Sequence, residues 1–413
     1  MQGQVPLLGA YLAQADARAD PESVALARQR LAQLELLNGH AERAGPLLGL
    51  AQSQWASDPR RYREQRLEGL NIQGQLLRAR GELPAATQVF ELAVAERQAL
   101  GGPVQRELAV LNNSLATTLM AANQPERALA AYRQALAIYE QLGQAESVDA
   151  LVVLGNTGTL AMRTGRLNEA LPTLQRAFTL QRERAGDSAA VGAAMGLYGM
   201  ALTAKGQSAT AIGVLHQAID IALRFTAATS PLVVQNRLFL TEALAEAGDL
   251  PAARALAQAN ANAAREAFGP AHLFSLRTQS ALARLMLRSG QVKDAQLADE
   301  ALLPALRKLG PPAQGALAAA LLDLGESSLA ARQPLQAQTQ LRQAVALREQ
   351  LLWPQSWELA QARERLGEAL LSSDTAAALA LLKPAAETLA HELGEAHAET
   401  RRARAAQASA VRS

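Results

Sequence analysis

An internal repeat of about 42 residues constrains this chain more than any other sequence feature. One alanine position of the repeat occurs nine times, and successive copies lie 42 residues apart in six cases and 41 in two. A small residue precedes each alanine by eleven or twelve positions, and a large apolar residue follows it by four in seven copies. A fixed period of this length is the signature of a repeat protein, in which each unit packs on its neighbours. The nine alanines are Ala44, Ala86, Ala128, Ala170, Ala211, Ala253, Ala295, Ala337 and Ala378.

Each copy of the repeat predicts a helix, a tight turn and a second helix. Between the small residue and the alanine stands a residue that accepts the left-handed conformation at the end of a helix. Prolines follow this turn in four copies, in the first turn of the second helix, where a missing N–H costs nothing. The turn residues are Gly39, Gly81, Asn123, Gly165, Gly206, Gly248 and Gly290, and the prolines are Pro84, Pro125, Pro251 and Pro334.

The composition excludes several functional classes. None of the 413 residues is cysteine, which rules out disulfides, thiolate metal sites and a cysteine nucleophile. No run approaches eighteen consecutive apolar residues, so we expect no membrane insertion. A net charge of +2 and an aromatic content of 3% also argue against nucleic acid, which needs cationic surface and stacking side chains.

The spacing of small, Ala, large and Ala residues resembles the tetratricopeptide repeat. The period of about 42 residues resembles the kinesin-light-chain variety, as in LNNSLATTLMAANQPERALAAYRQALAIYEQLG (111–143) and LGNTGTLAMRTGRLNEALPTLQRAFTL (154–180). The resemblance covers about residues 25 to 400, and it implies an all-α, right-handed α-solenoid of about nine helix-turn-helix repeats. Residues 21–394 would form the solenoid, and residues 395–413 a C-terminal capping helix and frayed tail. Residues 1–20 would be a partial repeat, hence either an N-terminal capping helix or the edge of a fragment of a longer protein.

None of the candidate catalytic motifs in the sequence is complete. GMALTAKGQS (199–208) lacks the glycine before Lys205 and the Ser/Thr after it that a phosphate-binding loop needs. In HELGEAH (391–397) the histidines are six residues apart, whereas a metalloprotease helix places them four apart. No G-x-S-x-G stretch or protein-kinase signature occurs. We therefore expect no enzymatic activity, no cofactor and no metal.

The resemblance also predicts which residues line the concave groove of the superhelix. Amides at these positions can pair with a peptide backbone, and arginines can grip a carboxylate. Simple solvation of the same polar residues is the competing interpretation. Acidic residues occupy equivalent positions in other copies, so the groove is a charge mosaic: Glu242, Glu246, Asp323, Glu326, Glu364 and Glu368. The predicted partner-binding residues are Asn71, Gln75, Arg78, Asn113, Thr117, Asn156, Thr159, Arg163, Arg277, Arg284 and Arg288.

These observations predict a non-catalytic scaffold that binds another protein or peptide. The alternative is the C-terminal regulatory or sensor part of a bacterial serine/threonine kinase or transcriptional regulator, and a small-peptide receptor is a third hypothesis. We expect a cytoplasmic protein, or a periplasmic one if the chain is part of a membrane-anchored kinase. The copies at residues 237–310 are degenerate, with Asn260, Asp299 and Leu302 at packing positions, and are predicted to be the least stable.

Overall fold

The computed structural model describes residues 4–14, 20–101 and 106–412, and the chain forms two compact units. Unit 1 is Met1–Asn156 and unit 2 is Thr157–Ser413. Of the predicted N-terminal partial repeat, residues 1–3 and 15–19 lie outside the described residues, as does Ser413 of the predicted tail.

Unit 1 consists of α helices wherever the structure describes it. Helix α1 is a single helix, and the following helices alternate between the first and second helix of a repeat. Their bounds are α1 Gln4–Gln14, α2 Pro21–Leu37, α3 Ala41–Trp55, α4 Arg63–Ala79, α5 Leu83–Ala99, α6 Arg106–Ala121 and α7 Pro125–Gln141, followed by α8 Val148–Arg163, within which the boundary of the units falls.

Unit 2 continues the same alternation. Its helices are α9 Leu167–Ala185, α10 Ala189–Ala204, α11 Ser208–Phe225, α12 Pro231–Glu246, α13 Leu250–Phe268, α14 Leu273–Arg288, α15 Val292–Leu309, α16 Gln314–Ala330, α17 Pro334–Leu351, α18 Trp357–Leu370, α19 Thr375–Leu393 and α20 Ala398–Arg412. A short 3-10 turn, Pro311–Ala313, precedes α16. In the described chain, α2 to α19 form nine helix pairs, which confirms the predicted fold class and repeat number.

The alanines and glycines of the repeat lie where the paired helices pack closely against each other, as the sequence predicts. All nine repeat alanines are fully buried. A Cβ atom added to Gly74 would lie 2.6 Å from Cζ of Phe90, and one added to Gly199 would lie 2.5 Å from Cγ of Leu215. The large residue of each of these repeats therefore packs directly on the glycine of its own first helix, a contact that leaves no space for a side chain.

The turns between paired helices also follow the prediction. All seven predicted turn residues have positive φ angles, including Asn123 at 56°. The eighth repeat uses Arg332 at φ 59°, in a left-handed conformation that non-glycine residues rarely adopt. The four turn prolines lie at the first or second position of their helices.

The two ends of unit 2 contact each other. The backbone N–H of Asn168 donates to Oε2 of Glu392 at 3.0 Å, and Nζ of Lys205 donates to Oδ1 of Asn168 at 2.6 Å and also to the carbonyl of Glu392. Beside them, the guanidinium of Arg166 lies over the Trp353 ring, 4.4 Å from its centroid. The contacts of Glu392 with Asn168 and Lys205 join residues that are 224 and 187 positions apart in the sequence. We call this contact the seam, and it closes unit 2 into a ring.

A shared core continues the seam into the interior of unit 2. One cluster of buried side chains combines residues of α9 and α10 with residues of α19 and α20, among them Ala170, Leu202, Leu389 and Ala403. Helix α20, in the segment predicted to form a C-terminal capping helix and frayed tail, runs to Arg412, with Thr400, Ala403, Ala406 and Ala410 buried. Burial of apolar surface thus accompanies the polar contacts of the seam.

Candidate functional site

The predicted groove residues of unit 1 form a row of half-buried amides on successive first helices. Nε2 of Gln75 donates to Oδ1 of Asn71 at 3.2 Å within α4. Nδ2 of Asn156 on α8 donates to Oδ1 of Asn113 on α6 at 3.4 Å. In the described chain, Nδ2 of Asn113 and Oδ1 of Asn156 have no further partner. One donor and one acceptor on neighbouring helices are therefore available to a peptide backbone.

Two other predicted residues lie near this amide row. Oγ1 of Thr117 donates to the carbonyl of Asn113 at 2.9 Å and lies 3.2 Å from the hydroxyl of Tyr132. Arg78 is half-buried, and burial lowers the pKa of its guanidinium. Thr117 is thus engaged within unit 1, while Arg78 supplies a cation to the same part of the unit.

Two of the predicted groove arginines of unit 2, Arg284 and Arg288, bind acidic residues of the same chain. Arg284 donates from Nε and Nη2 to Asp323 at 3.1 and 2.9 Å, and from Nη1 to Glu242 at 3.1 Å. Arg288 contacts Glu242 at 3.4 Å and also pairs with Glu246. These side chains link α12, α14 and α16, so the mosaic seen in the sequence is here a network of ion pairs between consecutive first helices.

A second ion-pair network connects α16, α18 and α20. Arg365, whose side chain is 2% exposed, contacts Glu326 at 2.5 Å and Glu399 at 2.7 Å and also pairs with Glu364. Arg402 donates to Glu368 at 2.9 Å. The sequence pattern identified Glu326, Glu364 and Glu368 but not Glu399, Arg402 or Arg365. The spacing of 39 residues between Arg365 and Glu326 was the available signal.

Two further predicted arginines of unit 2, Arg163 and Arg277, have no carboxylate within 4.0 Å in the described chain. Thr159 is half-buried on α8, and Arg163 is exposed at the end of that helix. Arg277 donates from Nη1 to Oε1 of Gln235 at 2.5 Å, and its guanidinium carbon lies 6.0 Å from the centroid of the Phe274 ring. Arg277 therefore differs from Arg284 and Arg288, although all three lie on α14.

The first helices of unit 2 line an open cavity of about 1320 Å³. First helices α10, α12, α14, α16 and α18 contribute to its wall, which carries both ion-pair networks and apolar side chains such as Phe239, Leu276 and Trp357. Ligand pockets typically occupy about 300–1,000 Å³, so this volume suffices for a small organic molecule or a short peptide.

Buried carboxyl groups with raised pKa values lie in and beside the cavity wall. Asp299 is 1% exposed, and neither of its carboxyl oxygens has a hydrogen-bond partner in the structure as described. Burial, reinforced by the charge of Asp323, raises the pKa of Asp299 to about 8. Burial likewise raises the pKa of Glu358 to about 7 and that of Glu364 to about 8. Each group is protonated more readily in the folded chain than in water.

Residues 4–14, 20–101 and 106–412 contain neither a metal-binding cluster nor a membrane-spanning helix. No group of three or more His, Cys, Asp or Glu residues is placed to hold a metal ion. No helix in these ranges is long and apolar enough to cross a membrane.

Comparison with known proteins agrees with this architecture. A family model described as tetratricopeptide repeat matches residues 65–141 and 149–224. A comparison with curated proteins finds no match.

Among solved structures, the apo form of the quorum sensor NprR from B. thuringiensis is similar with a TM-score of 0.57 and 14% identity, covering 84% of this chain and 98% of that one. Aspartyl phosphate phosphatase F from Bacillus subtilis aligns with a TM-score of 0.57 and 12% identity, over 84% of this chain and 93% of that one. A protein of Podosopora anserina, described as a kinesin light chain with nearly identical TPR-like repeats, aligns with a TM-score of 0.43 and 19% identity, over 49% and 96%. At these identities the likeness concerns the fold.

Proposed function

We propose that this chain, which is built of tetratricopeptide repeats, is a non-catalytic scaffold that binds an extended segment of another protein along its first helices. The amide row of unit 1 carries the proposal. Asn71, Asn113 and Asn156 lie on three successive first helices, at intervals of 42 and 43 residues. Packed helices are about 8–10 Å apart, which is about three residues of an extended chain. Successive amides can therefore reach the backbone of one extended segment, whatever its side chains.

Affinity capture from a lysate of the source organism tests this proposal. The wild-type chain and an Asn113→Ala/Asn156→Ala variant are immobilised, and the retained proteins are identified by mass spectrometry. A Gln134→Ala/Gln141→Ala variant is the matched control, because it removes two exposed amides from the second helix α7. We expect the first variant to lose a retained protein that the wild type and the control keep. Equal retention by all three chains, with unchanged helicity, would contradict the proposal.

The second candidate is a regulatory or sensor role in a bacterial signalling protein such as a kinase or transcriptional regulator. The ring closure of unit 2 favours it, and NprR, which has a similar fold, is described as a quorum sensor. A sensor must change conformation when it binds. Hydrogen exchange of the seam, measured with and without the captured partner, separates the roles: a sensor loses protection around Asn168 and Glu392, and a passive scaffold does not.

A further inference from the structure

We propose that the cavity of unit 2 binds a small organic anion, whose charged group lies against Arg277, Gln235 and Ser280 and whose apolar body lies against Phe239 and Leu276. This site is separate from the amide row of unit 1 and does not depend on the scaffold function. Its evidence is two buried hydrogen-bond donors that lack acceptors, next to an arginine without a carboxylate partner, in the wall of the open cavity of unit 2.

Two buried donors without acceptors lie on α12 and α14, beside an arginine that has no carboxylate partner. Oγ of Ser280 has no hydrogen-bond partner among the described residues, although Ser280 is only 9% exposed. Nε2 of Gln235 is likewise buried and unpartnered, while Oε1 of the same amide accepts from Arg277. Arg277 precedes Ser280 by three residues on α14, so both side chains lie on one face of the helix. All three residues line the cavity.

The state of Arg277 contrasts with that of the arginines around it. Arg284, Arg288 and Arg365 each pair with carboxylates of this chain. Arg277 has no carboxylate within 4.0 Å in the described chain, and its pKa is lowered by burial and by repulsion from Arg284. An anion beside Arg277 would offset both the burial of its charge and the repulsion from Arg284. Arg348 also lines the cavity without a carboxylate ion pair, so the positive charge is not confined to one side chain.

The geometry specifies the chemistry of the ligand. Unsatisfied buried donors call for a group with several acceptor lone pairs, which a carboxylate or sulfonate provides and an amine does not. Charge-assisted hydrogen bonds to a guanidinium are stronger than neutral ones, and they gain strength away from water. The neighbouring Phe239 and Leu276 favour an apolar body next to the anionic group.

A matched pair of fluorescent probes tests the site in the full chain. 8-Anilinonaphthalene-1-sulfonate is an anion with an aromatic body, and N-phenyl-1-naphthylamine has the same body without the charge. Each probe is titrated into the wild type, Arg277→Gln, Ser280→Ala and Arg342→Gln. Arg342 is exposed on α17, does not line the cavity, and controls for net charge. Far-UV circular dichroism checks that each variant is folded.

We expect Arg277→Gln to weaken sulfonate binding about tenfold, the loss of one charge-assisted contact. Ser280→Ala should weaken it by a smaller factor, and neutral-probe binding should be unchanged in all variants. Arg277→Lys, which keeps the charge, should recover part of the loss if Arg277→Gln is poorly folded. Equal affinity for both probes in the wild type, or equal sulfonate binding by Arg277→Gln and Arg342→Gln, would overturn the proposal.

Competition against the bound sulfonate distinguishes the sources of the anion. Displacement by decanoate indicates a free organic acid. Displacement by the N-acetylated tripeptide Ala-Leu-Phe as its free acid, but not as its C-terminal amide, indicates a peptide carboxylate. Failure of both carboxylates to displace the probe would contradict a carboxylate site.

Discussion

The first helices of the two units follow one repeat pattern but carry different chemistry. In unit 1, Asn113 and Asn156 make a single 3.4 Å hydrogen bond and keep polar atoms available. In unit 2, Arg284 and Arg365 each contact acidic residues of other first helices. A repeat fold therefore constrains where groove residues lie, and neighbouring copies decide whether their polar groups face a ligand or each other.

This comparison shows why charge in a groove is a weak indication of ligand binding. A charged side chain that is partly removed from water needs a partner, and an adjacent repeat can supply one at a fixed spacing. Neutral amides carry a smaller desolvation cost and can stay half-satisfied. The difference predicts that equivalent substitutions have unequal effects in the two units.

The largest expected effect is that of Arg365→Met in unit 2. The change leaves the fully buried Glu364 with only its longer, 3.6 Å contact to Arg402. Breaking a buried pair in this way costs about 3–5 kcal/mol. Urea unfolding followed by circular dichroism measures the change. Arg363→Met, two residues away, removes a partly exposed pair with Glu349 and should cost no more than about 1 kcal/mol. Equal losses for the two variants would contradict a special role for the buried network.

Asp299→Leu should stabilise unit 2, because it restores the large apolar residue found at this position in seven repeats. Removing a buried carboxyl group without hydrogen-bond partners should gain about 1–3 kcal/mol in the free energy of unfolding. Asp323→Leu is the contrasting variant, because it removes a carboxylate that Arg284 binds, and it should destabilise the chain. A loss of stability in Asp299→Leu would contradict the prediction.

The pH dependence of the free energy of unfolding, compared between the wild type and Asp299→Leu, provides a separate measurement. The pKa of Asp299 is raised to about 8, so the folded chain keeps a proton that the unfolded chain loses above about pH 4. The proton on Asp299 therefore contributes fully to the free energy of unfolding below about pH 4, and this contribution is lost as the pH rises towards 8. Glu358 and Glu364, with pKa values of about 7 and 8, act in the same direction. Wild-type stability should therefore fall between pH 5 and pH 8, and fall less steeply in Asp299→Leu.

Removing the polar contacts of the seam should have a moderate, local effect. Asn168→Ala/Lys205→Ala eliminates the side-chain hydrogen bonds to the carbonyls of His391 and Glu392 at the end of α19, at a cost of about 1–2 kcal/mol. Hydrogen exchange should become faster in α19 and at the turns of residues 164–168 and 205–207. Unit 1 should be unaffected. Asn262→Ala/Lys293→Ala removes two exposed side chains elsewhere in unit 2 and serves as the control. Unchanged exchange would show that apolar packing alone closes the ring.

The smallest expected effect on stability is that of Asn113→Ala in unit 1. Its half-buried, 3.4 Å hydrogen bond with Asn156 should contribute about 0.5 kcal/mol or less. A loss above 2 kcal/mol would place Asn113 among the structural residues and remove the contrast between the two units.

The repeat alone was sufficient to predict the local architecture. Gly74 and Phe90 belong to one helix pair, and so do Gly199 and Leu215, so sequence spacing identifies each contact. The sequence also predicted the left-handed turns, except at Arg332, where arginine occupies a position usually held by glycine. A residue type predicts a turn only where the left-handed backbone conformation requires glycine or asparagine. Arginine can adopt the same conformation, but at a cost in free energy.

The sequence spacing predicted on which helices the polar side chains lie, but it did not predict which side chains they contact. Spacing placed Arg284 and Glu242 on first helices, without indicating that each would bind the other. A guanidinium offers the same donors to a ligand as to a neighbouring carboxylate, and only the packed arrangement decides between them.

The sequence by itself determined the helix pairs, their turns and the small residues at their crossings, because these depend on contacts within about 42 residues. Only the tertiary structure showed that Asn168 and Lys205 meet Glu392, up to 224 residues away, and close the ring around Arg277. Closure depends on small rotations that accumulate over successive repeats, and no single copy of the repeat encodes their sum.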